Sequence, residues 1–204
     1  MLIARSSSLS ASNIGVSHAP RIIAGSFRGR RLIVPADGVR PTKDRVKAAI
    51  FSALDARGLL DDAVVLDACA GSGALGLEAL SRGAAHATFY ETDRGAVLAL
   101  KRNVEAMVHG NATVRVGDVV IAMRTATGTF DLVFCDPPYD ADPVWRDNAL
   151  AVLCTVAPGG TIVLERGRRS DEPTVPDGWS VVWERTFGDT LVVFIQPANS
   201  SPNF

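Results

Sequence analysis

The apolar residues of this chain fall into short continuous runs that alternate with longer stretches in which they recur every three or four positions. Short runs predict buried strands, and the longer stretches predict amphipathic helices. From residue 64 onward the two patterns alternate, as in a parallel sheet covered by helices. The predicted strands are 64–67, 87–91, 113–116, 131–135 and 160–165, and the predicted helices begin near residue 74 and span 94–107 and 143–156.

Both ends of the chain depart from that alternation. Residues 180–184 and 190–195 predict a closing antiparallel pair with a turn at 187–189. Residues 21–25 and 31–35 predict a β-hairpin with its turn at 26–29. A helix follows, for which Thr42 can serve as N-cap and Gly58 as the stop.

Charge is distributed unevenly along the 204 residues. The net charge is −1, but residues 21–50 carry eight basic and two acidic side chains, a net charge of +6, which leaves −7 for the remainder. A basic part joined to an acidic body is expected where one part binds the phosphates of a nucleic acid and the other holds a cationic ligand. The candidate phosphate contacts are Arg28, Arg30, Arg31, Arg40 and Lys43.

These features give a division of the chain. We expect a serine-rich disordered leader over 1–19, a basic hairpin and helix that contacts RNA over 20–58, a main domain over 59–197 and a tail over 198–204. No apolar run approaches the roughly 18 residues of a membrane span. The cysteines and histidines lack metal-ligand spacing, so we expect no metal and a cytoplasmic monomer with core thiols that stay reduced. These residues are Cys69, Cys135, Cys154, His18, His86 and His109.

A glycine-rich turn follows the first strand of the main domain. Asp67 ends that strand, and Ala70-Gly71-Ser72-Gly73 leads into the next helix, as in nucleotide-binding βαβ units. Glu91 lies twenty positions after Gly71, where a ribose-binding carboxylate belongs, so a nicotinamide cofactor is one alternative. The carboxylate of Asp67 instead favours a cationic ligand without phosphate. S-adenosylmethionine fits, because it carries a ribose, an adenine, an ammonium and a sulfonium group.

The fourth predicted strand ends in Asp136-Pro137-Pro138-Tyr139. Prolines remove backbone donors and leave carbonyl acceptors, so Asp136 and the carbonyl of Pro137 can each accept one N–H of an exocyclic amine. Tyr139 can stack on the ring that carries this amine. Because Asp67, Glu91, Asp118 and Asp136 all end or follow strands, we expect them to converge at one sheet edge.

The order of these segments resembles the RsmD family of bacterial 16S rRNA guanine-N2-methyltransferases. The resemblance covers about residues 20 to 196. It is carried by the segments 21–25, 40–42, 66–84 and 136–139. One departure is Ala68-Cys69, where the family commonly has a Leu-Phe or Leu-Tyr pair, so the wall beside the cofactor is expected to be smaller.

The resemblance implies an α/β fold of class I S-adenosylmethionine-dependent methyltransferases, with a Rossmann-like seven-stranded sheet that is mostly parallel with one antiparallel strand. It also implies methylation of the guanine usually numbered 966 in 16S rRNA, within an assembled or assembling small subunit. By position, the methionine end of the cofactor falls to Asp67, Ala70, Gly71, Ser72 and Gly73, the ribose to Glu91 and the adenine to Asp118. The target guanine falls to Asp136, Pro137 and Tyr139, and Asp136 also borders the cofactor.

Other functions remain open from the residues themselves. A socket for an aromatic amine also suits an adenine-N6 DNA methyltransferase, and its amide-recognising geometry suits a protein-glutamine methyltransferase. A chain of this length shows no evident DNA target-recognition domain, which favours RNA. A non-catalytic rRNA-binding assembly factor with the same fold is an alternative of a different class.

Overall fold

The computed structural model describes residues 19–35, 44–126, 129–138 and 141–198. A single seven-stranded sheet lies at its centre, with helices on its faces. The strands are β1 Val64–Asp67, β2 His86–Glu91, β3 Ala112–Val116, β4 Leu132–Cys135, β5 Thr161–Gly167, β6 Trp179–Phe187 and β7 Thr190–Pro197. The helices are α1 Asp44–Asp55, α2 Ala74–Ser81, α3 Arg94–Met107, α4 Val119–Met123 and α5 Pro143–Val156.

The strand order is β3-β2-β1-β4-β5-β7-β6. All neighbours from β3 to β5 are parallel, while β7 pairs antiparallel with both β5 and β6. The predicted mostly parallel sheet with one antiparallel strand is confirmed. Chain order reverses between β1 and β4, and in such sheets the carboxyl ends of the strands at this point frame a ligand crevice.

Helix α2 is buried on every side, and most of its residues are apolar. All eight of its residues are buried, because α2 is covered by the sheet on one side and by residues 19–35 and α1 on the other. Gly76 lets this helix approach the sheet closely, since a Cβ there would lie 2.3 Å from the Phe89 ring. The glycine is therefore required for packing between α2 and β2.

Short polar caps fix where the other helices begin. The side chains of Asp93 and Asp142 accept hydrogen bonds from Ala96 N–H and Val144 N–H, at the starts of α3 and α5. Pro143 occupies the first turn of α5, where a missing donor is harmless. The predicted bounds of both helices are confirmed.

The predicted hairpin at 21–35 is wrong in detail. Its two arms form an isolated antiparallel bridge between Arg21 and Arg31 instead of two strands. The backbone donors of Ile23 and Ala24 go to the Glu78 carboxylate, at 2.7 and 3.0 Å, and the donor of Ile33 goes to the Asn103 side chain at 2.8 Å. Backbone hydrogen bonds still join the two arms, from Ile22 N–H to the Arg30 carbonyl, from Gly29 N–H to the Ile22 carbonyl and from Leu32 N–H to the Pro20 carbonyl. Contacts from α2 and α3 are added to this pairing.

A buried cluster of charges fastens this N-terminal segment, residues 19–35, to α1 and α2. Lys47 and Glu78 are both fully buried, with Nζ and Oε2 3.3 Å apart, and Lys47 also donates to the carbonyl of Arg21. Arg82 Nε donates to Glu78 Oε1 at 2.9 Å, and its guanidinium pairs with Asp55. We call Lys47, Glu78 and Arg82 the docking cluster.

The N-terminal segment and α1 share their hydrophobic core with the sheet. Ile22, Leu32 and Phe51 are buried in the same cluster as Phe89 and Phe134. The Phe51 and Phe134 ring centroids are 5.5 Å apart. The boundary predicted at residues 58 and 59 therefore crosses one continuous core, although the division into domains stays a prediction.

Strand β6 forms one edge of the sheet. A β-bulge between Val181 and Trp183 interrupts its pairing with β7. Glu184 and Arg185 on the same strand are exposed. In the described part of the chain, no helix has both the length and the apolar character needed to cross a membrane.

Candidate functional site

A cavity of about 680 Å³ lies at the carboxyl edge of the sheet. Asp67 and Glu91 are the last residues of β1 and β2, Asp118 follows β3, and Asp136 follows β4. All four line this cavity. The structure therefore brings together the acids that the sequence placed at strand ends, and we call this space the main cavity. Their roles in binding stay predictions.

The glycine-rich turn forms one wall of the main cavity. Ala70, Gly71 and Ser72 line it, and Gly71 adopts a positive φ of 54°. Gly73 does not line it. A Cβ on Gly73 would lie 2.6 Å from Leu100 Cδ1, so this glycine serves the packing of α2 against α3.

Asp67 is a buried acid at the base of the main cavity. Only 2% of the residue is exposed, and its Oδ2 accepts a hydrogen bond from Gly76 N–H at 2.9 Å. Burial raises the pKa of Asp67 to about 7, assisted by the negative charges of Asp136 and Glu91 and opposed by the Gly76 hydrogen bond. A cation in the cavity would favour the ionised form, so the site is electrostatically suited to a positively charged ligand.

Glu91 joins the glycine turn to the end of β2. Its Oε2 accepts from Gly71 N–H at 2.7 Å, and its Oε1 accepts from Thr92 N–H and Asp93 N–H at 2.7 and 2.8 Å. A carboxylate oxygen has two lone pairs. Oε2 can therefore accept from a ligand hydroxyl while it still holds the turn.

Asp118 has a structural role that the sequence did not reveal. Its Oδ1 caps α4 by accepting from Val120 N–H and Ile121 N–H, at 2.7 and 3.3 Å, and its Oδ2 accepts from the Trp145 indole at 2.9 Å. Helix α4 was not predicted, because five residues are too short to show a helical period. The contact with adenine predicted for Asp118 is untested.

Asp136, Pro137 and Pro138 line the main cavity, as the glycine turn does. We call Asp136 and Pro137 the amine socket. The amine socket and the glycine turn thus border the same cavity. Tyr139 lies outside the described residues, as do Arg40, Thr42 and Lys43.

Trp145, Thr190 and Glu165 are among the cavity residues that the sequence analysis missed. Trp145 in α5 and Thr190 at the start of β7 gave no recognisable signal. Glu165 near the end of β5 gave the same signal as the other acids, a carboxylate near a strand's carboxyl end. Glu165 is 5% exposed and lines the main cavity.

The two residues that depart from the family pattern, Ala68 and Cys69, also line the main cavity. Cys69 is half-buried, so the prediction of a core thiol is wrong for it, whereas Cys135 and Cys154 are buried. A hydrogen bond with the Cys135 thiol, together with burial, raises the pKa of Cys69 well above its usual range. Cys69 is therefore a neutral thiol at neutral pH, and the effect of the smaller wall on affinity stays a prediction.

The predicted phosphate contacts that the structure describes differ in their surroundings. Arg28, Arg30 and Arg31 are all exposed. Arg30 donates to the carbonyl of Ala106 in α3 at 2.6 Å, which gives it a structural partner. On the same helix, Lys101 and Arg102 are exposed and add to the positive charge of α3.

A second, smaller cavity of about 50 Å³ adjoins the main one. Pro137, Trp145 and Glu165 line both. Arg146 and Arg166 also line the smaller cavity, and among the described residues their buried Nε atoms have no hydrogen-bond partner. Nearly enclosed donors and an acidic group therefore meet beside Pro137.

Solved structures share this architecture, and two of them illustrate the likeness. The candidate methyltransferase yhhF from Escherichia coli superposes with a TM-score of 0.78 at 37% identity, covering 88% of this chain and 98% of that one. Magnesium protoporphyrin IX methyltransferase from Synechocystis, with bound S-adenosylmethionine, superposes with a TM-score of 0.62 at 16% identity. It covers 80% of this chain and 87% of that one, and at this identity it bears on the fold alone. The predicted class I methyltransferase fold is confirmed.

Sequence relatives point to one family. The chain is 41% identical over 171 residues to ribosomal RNA small subunit methyltransferase D of Escherichia coli strain K12, covering 82% of this chain and 85% of that protein. A family model described as "Conserved hypothetical protein 95" matches residues 20–196. The chain therefore belongs to this family, the RsmD family that its sequence resembles.

Proposed function

We propose that this protein methylates ribosomal RNA with S-adenosylmethionine, and that the acceptor is the exocyclic N2 of a guanine in 16S rRNA. The first half draws on the relatives, which are named as ribosomal RNA small subunit methyltransferases. The choice of guanine N2, at the position numbered 966, rests on the resemblance. The observation that carries the proposal is that Asp136 and Pro137 line the same cavity as Asp67 and the glycine turn.

The main cavity has the donor and acceptor set that S-adenosylmethionine requires. When bound, this cofactor supplies an electrophilic methyl group on a sulfonium. Asp67, with Ala70, Gly71 and Ser72, would hold its cationic methionine end, and Glu91 Oε2 would accept from a ribose hydroxyl. The raised pKa of Asp67 supports this fit, because no lysine or arginine among the described lining residues offers a positive charge that would keep this buried carboxylate ionised.

Asp136 and Pro137 would orient the nucleophile. The N2 amine is a poor nucleophile because its lone pair is delocalised into the ring. Two acceptors, one N–H each, hold the nitrogen so that its lone pair points into the main cavity. As nitrogen acquires the methyl group its remaining protons become acidic, so one can pass to Asp136 or to water without a strong base.

The target base must leave its stack, because a paired amine cannot enter the cavity. The N-terminal segment would bind the flanking phosphates through Arg28 and Arg31, with Arg40 and Lys43 as further predicted contacts. Arg30 would contribute only those guanidinium donors that do not hold α3. The small ribosomal subunit, or an assembly intermediate, is the proposed partner.

A methyl-transfer assay tests this function. Small subunits lacking the modification are incubated with tritiated S-adenosylmethionine and either wild type, Asp136→Ala or the exposed control Asp177→Ala. We expect label from wild type and the control, and a loss of at least about 100-fold for Asp136→Ala. Unchanged binding of S-adenosylhomocysteine would show that this variant keeps its cofactor site.

Mapping the labelled nucleotide separates the alternatives. Label on guanine N2 of 16S rRNA supports the proposal. Label on adenine N6, or on DNA in preference to the small subunit, would indicate that Asp136 and Pro137 hold the amine of a different substrate. Equal absence of label from wild type and Asp136→Ala, together with binding of the small subunit, would indicate a non-catalytic assembly factor.

A further inference from the structure

Glu165 and Asp136 lie next to the last residue pair that joins β4 to β5. Cys135 of β4 pairs with Leu164 of β5 in parallel register; Asp136 is the first residue after β4, and Glu165 follows Leu164 within β5. Neighbouring strands are about 4.8 Å apart, and paired positions point to the same side of a sheet. Both residues line the main cavity. A base held by Asp136 therefore has Glu165 beside it.

We propose that Glu165 makes the site specific for guanine by accepting the N1–H of the target base while Asp136 and Pro137 hold its N2 amine. This inference rests on the proposed function. In guanine, N1 and N2 are bonded to the same ring carbon, so adjacent strand ends can address both. An ionised carboxyl group accepts hydrogen bonds and donates none, which matches N1–H.

The same carboxylate would reject the bases that compete with guanine. Adenine and cytosine present an unprotonated ring nitrogen beside their amine, so an acceptor would face an acceptor. In a site only 5% exposed at Glu165, neither group could turn to water, and buried polar groups left unpaired oppose binding strongly. Glu165 would thus favour guanine over the adenine that the amine socket alone could accept.

Donors in the smaller cavity suit the remaining atom of that edge. Guanine carries the O6 acceptor on the other side of N1. Arg146 and Arg166 line the smaller cavity together with Glu165 and Pro137, and the Nε atoms of both arginines are buried. The Arg166 side chain is 9% exposed and is fixed by donating to the Ser170 carbonyl at 2.8 Å. The Glu165 carboxylate would accept from guanine N1–H, and the arginine donors would face O6. Adenine would instead need a donor at the position of Glu165, because its N1 is unprotonated.

The test uses a base analogue that keeps the nucleophile. Small subunits are reconstituted with either guanine or 2,6-diaminopurine at the mapped target position. The analogue retains the N2 amine, but its N1 is unprotonated and an amine replaces O6. The enzymes compared are wild type, Glu165→Gln and Glu184→Gln, the last being an exposed carboxyl-to-amide change on β6.

We expect wild type and Glu184→Gln to prefer guanine by at least about 100-fold in kcat/KM, as sites that hydrogen-bond a substrate N–H do. Glu165→Gln should lower that preference at least about tenfold, because the amide can donate to the unprotonated N1. Affinity for S-adenosylhomocysteine should stay within about twofold of wild type, which a general structural defect would not allow.

The outcomes separate the inference from the function beneath it. If wild type methylates neither base, the proposed function fails. If wild type methylates both bases equally well, the inference is overturned without any variant being needed. A wild-type preference that Glu165→Gln retains in full also overturns it, since some other group must then read N1.

Discussion

Two buried carboxylates, Glu78 and Asp67, lie in different electrostatic surroundings. Glu78 is fully buried and accepts from Ile23 N–H, Ala24 N–H and Arg82, with Lys47 as its ion-pair partner. Asp67 is almost as buried, and burial, assisted by the negative charges of Asp136 and Glu91, raises its pKa to about 7. The charge of Glu78 is balanced by basic side chains of the protein, and it stabilises the fold. Among the described residues, no basic side chain offsets the charge of Asp67 in this way, so it favours a cationic ligand.

The largest effect should come from breaking the docking cluster. Replacing Glu78 by Leu leaves Lys47 and Arg82 without their buried counter-charge, and we expect the free energy of unfolding to fall by about 3–5 kcal/mol. Urea denaturation measures this change, with the exposed Glu105→Gln in α3 as control. The double variant Lys47→Met with Glu78→Leu should lose less than Glu78→Leu alone. A larger loss in the double variant would show that Lys47 does not depend on Glu78.

The next largest effect is the loss of folding stability that accompanies ionisation of Asp67. Its pKa in the folded state lies above the unfolded value of 3.8, so the folded protein holds this proton more tightly. Stability is therefore lost as pH rises from about 4 through about 7, by up to about 4 kcal/mol. Asp67→Asn should abolish this loss and make the cofactor-free protein more stable than wild type at pH 8. Parallel pH profiles of the two proteins would contradict the shift.

Docking of the N-terminal segment can be tested by a matched pair of glycines. Gly25 and Gly29 both adopt positive φ, 80° and 82°. A Cβ on Gly25 would lie 1.7 Å from the Ser81 carbonyl oxygen, whereas a Cβ on Gly29 would have nothing within 4 Å. Gly25→Ala should therefore destabilise the protein by about 1–3 kcal/mol more than Gly29→Ala. Equal thermal unfolding of the two variants would mean that the segment is not held at Ser81.

The smallest expected effect is the pH dependence of cofactor binding, which involves Asp67 but not Glu78. A cation bound near Asp67 should lower its pKa, so S-adenosylmethionine binding should release part of a proton near pH 7. Affinity should rise up to about tenfold from pH 6 to pH 8. Calorimetry in buffers of different ionisation enthalpy measures the released proton, and Asp67→Asn should reduce it. Equal release by Asp67→Asn would assign the proton to another group.

The strands were predictable from the sequence because buried parallel strands form continuous apolar runs. The family resemblance supplied the number of strands and the single antiparallel one. The four acids at strand ends were predictable for the same reason, since the end of an apolar run fixes a position in space. Partners distant in sequence were not. Glu78 and Asn103 accept hydrogen bonds from backbone donors 55 and 70 positions away, which is why docking of the N-terminal segment against α2 and α3 was not predicted.

Glycine roles show the same limit. The sequence assigned Gly71 and Gly73 together to a ligand turn, yet Gly71 borders the main cavity and Gly73 packs against Leu100. A glycine in a motif indicates that there is no room for a side chain at that position. It does not indicate whether a ligand or a neighbouring residue occupies the space. Glu165 was missed for a different reason: it ends the predicted strand 160–165, as the other acids end theirs, but the sequence does not show that this strand lies beside β4 and Asp136.

The bulged outer strand has a consequence for how this chain behaves among its own copies. Unpaired amides along a sheet margin invite another polypeptide to add on, and β6 carries exposed Val181 and Val182 there. The β-bulge between Val181 and Trp183 interrupts the regular spacing of backbone groups that an added strand needs. The exposed side chains of Glu184 and Arg185 would also place charge beside an added strand. Self-association through strand addition is therefore discouraged at the end of the sheet farthest from β3.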